Sequence, residues 1–103
     1  MLSFEILKKE KTGRKNSLNQ EIEEWTSLYQ IDGYMDMLSG DEAMSTNSFI
    51  QESSHVLITW DVEKTITNRN QIQDLSGQLF EITYVDDPMG LGKMYEIYCK
   101  KVS

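Results

Sequence analysis

Two alternating runs joined by a short loop restrict this chain to a sheet. Gln78-Leu79-Phe80-Glu81-Ile82-Thr83-Tyr84-Val85 puts Phe80, Ile82 and Tyr84 on one side and Glu81 and Thr83 on the other. After Asp86-Asp87-Pro88-Met89-Gly90-Leu91-Gly92, the run Lys93-Met94-Tyr95-Glu96-Ile97-Tyr98-Cys99-Lys100 alternates again. Period two with β-branched and aromatic residues predicts two half-buried antiparallel strands, and the Pro- and Gly-containing gap predicts a hairpin loop. Opposing Ile82 with Ile97 places Tyr84 against Tyr95 and Phe80 against Cys99. A slip of one residue would face Ile82 with Glu96 and bury a carboxylate, so the parity is set, whereas a shift of two residues would preserve it.

The rest of the chain supplies partners for this hairpin. Phe4 to Glu10 alternates weakly and predicts a first strand with Phe4 and Ile6 inward. Residues 11–20 are polar, contain Gly13 and Asn16, and predict a turn or loop. Residues 25–38 place Tyr29, Ile31, Gly33, Met35 and Met37 on one parity, predicting one strand or two with a break or bulge at Gly33. Glu21-Ile22-Glu23-Glu24 fits either this strand or the start of a helix. Ser39-Gly40-Asp41-Glu42 has capping-box spacing and predicts a short helix toward Phe49, weakened by Ser45, Thr46, Asn47 and Ser48. His55-Val56-Leu57-Ile58-Thr59-Trp60 predicts a strand with Val56, Ile58 and Trp60 on one face. Ile72 to Leu75 suggests a further short strand within the polar stretch 61–76. The expected fold is mainly β: a small antiparallel barrel or sandwich of five or six strands, one short helix and long loops, in a single domain.

A chain of 103 residues with 39% apolar residues is lean for a globular fold, which suggests long loops or a covering partner. One Cys forbids an intrachain disulfide, so a reducing compartment is the expectation. No apolar run approaches the length of a membrane span, and the N-terminus lacks the basic and apolar regions of a secretory signal. Net charge is −7. A protein that grips phosphates needs surplus cations, so this balance argues against nucleic-acid binding. Lys8, Lys9, Lys11, Arg14 and Lys15 form the basic cluster. It lacks interleaved aromatics and reads as a solvated loop or as a docking site for an acidic partner, with Lys11, Arg14 and Lys15 the candidate contacts.

No catalytic constellation emerges. His55 is the sole histidine and reads as a structural residue at a strand start. Cys99 lies on the core parity with Tyr95 and Ile97, which predicts a buried inert thiol. Asp86-Asp87 fits turn chemistry, and the spaced oxygens of a calcium loop are absent. Gly90-Leu91-Gly92-Lys93 has the wrong spacing for a phosphate loop. Met35, Met37 and Met44 offer an adaptable apolar surface or simple core filling. The expectation is no enzyme, no metal and no cofactor.

The order of landmarks is more informative than any one of them. Trp25, Ser39-Gly40-x-Glu42, Val56/Ile58 and Gly77-x-x-Phe80-x-Ile82 follow one another along nearly the whole chain. In this order the sequence resembles the head-closure, or head-tail joining, proteins of tailed bacteriophages and prophages. The resemblance implies a β-barrel adaptor in the virion neck that sits below the portal or its adaptor ring. It implies a dodecameric ring, contact with a tail completion or terminator protein, and a part in retaining packaged DNA without specific nucleic-acid or membrane binding. Before assembly, the chain would reside in the host cytoplasm. Ser39, Gly40, Asp41, Glu42, Met44, Phe49 and Ile50 are the candidate assembly or channel-facing segment, apolar enough to bury yet too sparse to hold it on the core alone. The competing reading is a small acidic regulatory module that binds a basic protein.

Overall fold

A computed structural model describes residues 2–38 and 53–102. Six antiparallel strands form β1 (Leu2–Lys15), β2 (Glu21–Met37), β3 (His55–Thr59), β4 (Gln71–Gln73), β5 (Leu79–Asp86) and β6 (Tyr95–Lys101). They close a barrel in the order β1-β2-β3-β6-β5-β4, with the β1–β4 pairing Glu5↔Gln73 to Leu7↔Gln71 as the seam. Closure removes the open sheet edges that would otherwise invite aggregation. The interior is filled by Phe4, Ile6, Ile31, Leu57, Ile72, Phe80, Ile82, Ile97 and Cys99, one parity from each strand. Ile66, from the polar stretch before β4, joins this cluster. Tyr95 ties the same stretch down, its hydroxyl donating to the Val62 carbonyl at 3.1 Å.

The two longest strands do more than line the barrel. β1 pairs with β4 only as far as Leu7, and β2 pairs with β3 only from Gly33 onward. Beyond Leu7, β1 and β2 pair only with each other, as a two-stranded ribbon down to the turn at residues 16–20. Leu28 is an extra residue in β2 between Ile6↔Tyr29 and Leu7↔Ser27, so a bulge marks the point where the ribbon leaves the wall. The molecule measures 48 × 28 × 27 Å. Residues 11–15 and 21–24 are therefore strand rather than loop or helix, because alternate positions across the ribbon pair Lys9, Lys11 and Lys15 with Trp25, Glu23 and Glu21.

Three further expectations are corrected. The β5–β6 hairpin holds the expected parity at Phe80 and Ile82 but is shifted: Ile82 faces Cys99 rather than Ile97, and Phe80 faces Lys101 rather than Cys99. Thr83 is an extra residue between Ile82↔Cys99 and Tyr84↔Tyr98. This bulge reverses the parity beyond it, turning Tyr84 outward and setting it against Tyr98, not Tyr95. Val85 takes the inward place opposite Ile97. The Thr83 hydroxyl pins the bulge by donating to the Tyr98 carbonyl at 2.9 Å. Gly33 is neither a break nor a bulge: it pairs with Leu2 on one side and Thr59 on the other. A Cβ there would collide with the Ile58 carbonyl, so the glycine permits two strands to approach closely at a barrel corner. The short helix expected after Ser39 falls outside the described residues. Pro88–Gly90 forms a single 3-10 turn within the hairpin loop, with Met89 at φ 59°.

Candidate assembly surfaces

The basic cluster lies on the ribbon, and most of it is paired. Lys11 meets Glu21 at 3.1 Å, Lys9 meets Glu23 at 3.6 Å, and Lys8 meets Glu10. The Lys8 ammonium holds the Glu10 carboxyl below its ordinary range through a hydrogen bond and its charge. Those cations serve the ribbon: Lys9 and Lys11 pair across to β2 and Lys8 pairs along β1, and opposite charges so placed stabilise a pair of strands that has no core beneath it. Arg14 and Lys15 differ, because among the described residues neither joins an ion pair. They stand beside the turn, where Asn16 Oδ1 accepts from the backbone N–H groups of Leu18 at 2.9 Å and Gln20 at 3.0 Å. Leu18 sits 75% exposed at the summit. Of the candidate docking contacts Lys11, Arg14 and Lys15, the structure therefore separates a ribbon-bound Lys11 from two outward cations at the tip.

The candidate segment Ser39, Gly40, Asp41, Glu42, Met44, Phe49 and Ile50 lies outside the described residues. Its two attachment points are well defined. Leu38 N–H donates to the Ser54 carbonyl at 3.0 Å, and Ser54 N–H donates to the Cys99 carbonyl at 2.9 Å. The segment thus leaves and re-enters the barrel at one place, where β2, β3 and β6 meet.

A second surface emerges that residue periodicity did not single out. Across the outer face of four strands, Tyr34, Ile58, Glu96 and Asp86 form one cross-strand row. Asp36, Val56, Tyr98 and Tyr84 form the next. Trp60, two residues beyond Ile58, lies beside the first row, its ring edge-on to Tyr34 at 5.9 Å between centroids. Eight positions carry three carboxylates, five apolar or aromatic side chains and no cation. Val56, Ile58 and Trp60 do share a face, and it is this outer one; Leu57 and Thr59 point inside. The sequence signal was present in β3, which is apolar on both parities, as a strand covered on both sides would be. Tyr84 reaches the patch only because of the bulge at Thr83, a common use of bulges in re-aiming a side chain.

The two titratable candidates, Cys99 and His55, both pack against the barrel. Cys99 is fully buried, its sulfur 3.6 Å from the His55 carbonyl oxygen, and burial pushes its thiol up to about 12. His55 is half-buried, with Nδ1 2.8 Å from the Ser54 hydroxyl and its ring edge-on to Phe80. Burial and then the nearby Lys101 charge lower its pKa. Among the described residues, no three His, Cys, Asp or Glu side chains converge as a metal site.

Comparison with known proteins decides the family. The model of the family described as Phage head completion protein matches residues 4–102. The chain belongs to that family. Its role is accordingly structural, in the phage head, as a virion component near the head–tail junction. The resemblance drawn from Trp25, Ser39-Gly40-x-Glu42, Val56/Ile58 and Gly77-x-x-Phe80-x-Ile82 is borne out at the family level. The fold is also similar to the solution structure of protein SF1141 from Shigella flexneri 2a, with a TM-score of 0.79 and 17% identity. That likeness covers 100% of this chain and 93% of the other, and shows the shared fold alone. No curated protein matches. Within the family's structural role, the ribbon tip and the aromatic-acidic face are the two surfaces of distinctive chemistry among the described residues.

Proposed function

We propose that this chain completes the phage head as an adaptor of the head–tail connector. It docks below the portal or its adaptor ring, helps to retain packaged DNA, and offers the attachment surface for a tail completion or terminator protein. Self-assembly as a dodecameric ring places one barrel around the channel for each portal subunit. The observation that carries this reading is the family match over residues 4–102. The fold is consistent with it: a closed barrel is a stiff spacer, and a projecting ribbon gives it a second contact surface away from its own wall. Residues 39–54, anchored at both ends on β2, β3 and β6, are the channel-facing or inter-subunit segment in this reading. The alternative of a small acidic regulator rests on net charge alone.

The decisive experiment is removal of the gene from the phage or prophage that encodes it. Particles are then expected to assemble and package DNA, yet lose that DNA and lack tails, and added purified protein should restore tail joining. Normal, DNA-filled, tailed particles would overturn the reading. The acidic balance makes a separate prediction. In a gel shift at low salt, where screening is weakest, the isolated protein is expected to leave duplex DNA unshifted. Tight, salt-sensitive binding would contradict the picture of a channel ring that DNA passes without sticking.

A further inference from the structure

Charge is distributed unevenly between the ribbon and the rest of the chain. Residues 8–27 carry five cations against four carboxylates, leaving −8 on the remainder of a chain whose net charge is −7. Within the ribbon, Lys8, Lys9 and Lys11 are already ion-paired with Glu10, Glu23 and Glu21, and Lys15 stands opposite Glu21 in the register without pairing to it, so among the described residues the cations outside any ion pair here are Arg14 and Lys15. The tip that bears them is held in one shape. Besides the two bonds to its side chain, Asn16 accepts from Asn19 N–H at 3.0 Å and donates its own N–H to the Gln20 carbonyl at 2.9 Å. A tip organised in this way presents Leu18 and two cations with little left to order on binding.

The outer barrel face has the opposite requirement. Asp86 and Glu96 are direct cross-strand partners, an unfavourable placement of like charges, and the Tyr98 hydroxyl donates to Glu96 Oε2 at 3.1 Å. Asp36 lies exposed one row away, and the same rows expose Tyr34 and Trp60 beside Ile58. A cation arriving from outside would relieve the carboxylate pair, and an aliphatic side chain would cover the aromatic edge.

We propose that the Arg14/Lys15/Leu18 tip of one copy docks on the Asp36/Glu96/Ile58/Trp60 face of a second copy, making a head-to-tail contact. Arm and face are different surfaces on each chain, so the contact is heterologous, and repetition closes a ring when the rotation allows. Charge selects this occupant over the chain's own residues 39–52, which hold Asp41, Glu42 and Glu52 and no cation. The proposal rests on the ring reading above and supplies the surfaces that would build it.

Two charge reversals test it in the absence of any portal. One variant combines Arg14→Glu and Lys15→Glu; the other combines Asp36→Lys and Glu96→Lys, with Asp36→Lys alone as the substitute if the pair disturbs folding by circular dichroism. Native mass spectrometry and sedimentation over a wide concentration range at low salt are expected to show self-association of the wild type that high salt weakens. Each variant alone should associate at least tenfold more weakly. Mixing the two should restore association, because each then supplies the partner charge the other lacks. Association that neither reversal changes would place the copies' contact elsewhere and overturn the proposal. A wild type that stays monomeric at every concentration would overturn it too, while leaving the connector reading to the particle phenotype. Association that appears only when residues 41–50 are deleted would make that segment the occupant of the face and equally overturn it.

Discussion

The barrel wall and the ribbon are written in the same alternating code and held together by different forces. In the wall, every strand has a neighbour on each side, and one parity of each enters a common interior that includes Ile6, Ile31, Leu57, Ile72, Ile82 and Ile97. In the ribbon, β1 and β2 have only each other, and alternate side chains face water on both sides. A two-stranded hairpin is marginal by itself, so the ribbon depends on its root in the wall and on cross-strand ion pairs. Its open edges are protected by lysines and glutamates, which discourage unselective strand pairing. The contrast teaches where each region tolerates change: the wall is governed by burial, and the ribbon is open to charge.

Substitutions should separate the two regimes. The largest effect is expected at Ile82, which faces the buried Cys99. Ile82→Asp should unfold the barrel, since a buried unpaired carboxylate costs several kcal/mol, on the order of the stability of a small domain. Glu81→Lys, exposed on the other parity, is expected to cost about 0.5 kcal/mol. Denaturant melts of the two compare them directly, and equal damage would abolish the distinction between inside and outside on β5.

Gly33→Ala comes next. Its Cβ would press on the Ile58 carbonyl, part of the backbone rather than a flexible side-chain end. Overpacking of this kind costs about 1–3 kcal/mol, and a melt within error of the wild type would mean that the corner has slack. In the ribbon, Lys11→Ala should lower stability by no more than about 0.5 kcal/mol, because the Lys11–Glu21 pair is 70% and 48% exposed. A loss above 1 kcal/mol there would show that the ribbon is coupled to the wall more tightly than its pairing implies.

The smallest effect concerns pH. His55 has its pKa lowered from 6.5 by burial and by Lys101, so the folded state favours the neutral ring. Its contribution to stability is therefore complete above the unfolded value and is lost as pH falls below about 6.5 toward the folded pKa. Melting of the wild type should show a shallow decline with acidification over that range, and His55→Gln should flatten it. A variant that declines as steeply as the wild type over that range would remove His55 as the cause; Asp74, where burial is outweighed by hydrogen bonds from Ser76, Gln78 and Gly77 so that its pKa lies below 3.8, loses its contribution only in more acid solution.

Much of the wall was legible from residue order. Phe4 and Ile6, Ile31, Phe80 and Ile82, and Ile97 and Cys99 announce their strands because a half-buried strand must alternate, and burial penalises any other arrangement. The polar stretch 11–24 misled for the converse reason: with no core beneath it, the ribbon needs no apolar period, and its pairing is carried by charges on facing strands. The burial of Cys99 could be read from its core parity, and the family could be recognised from the spacing of Trp25, Ser39-Gly40-x-Glu42 and Gly77-x-x-Phe80-x-Ile82. The single extra residue at Thr83, the direct opposition of Asp86 to Glu96, and the aromatic-acidic face could not be read in this way. In β3, apolar on both parities, alternation tells which residues lie together but not which side is the interior. A bulge shifts that assignment without leaving a mark in the pattern, because Thr suits either face of a strand. Only closure of the sheet, with β4 pairing onto β1, determined that Leu57 and Thr59 went inside and that Val56, Ile58 and, past the bulge, Tyr84 were left on the outer face.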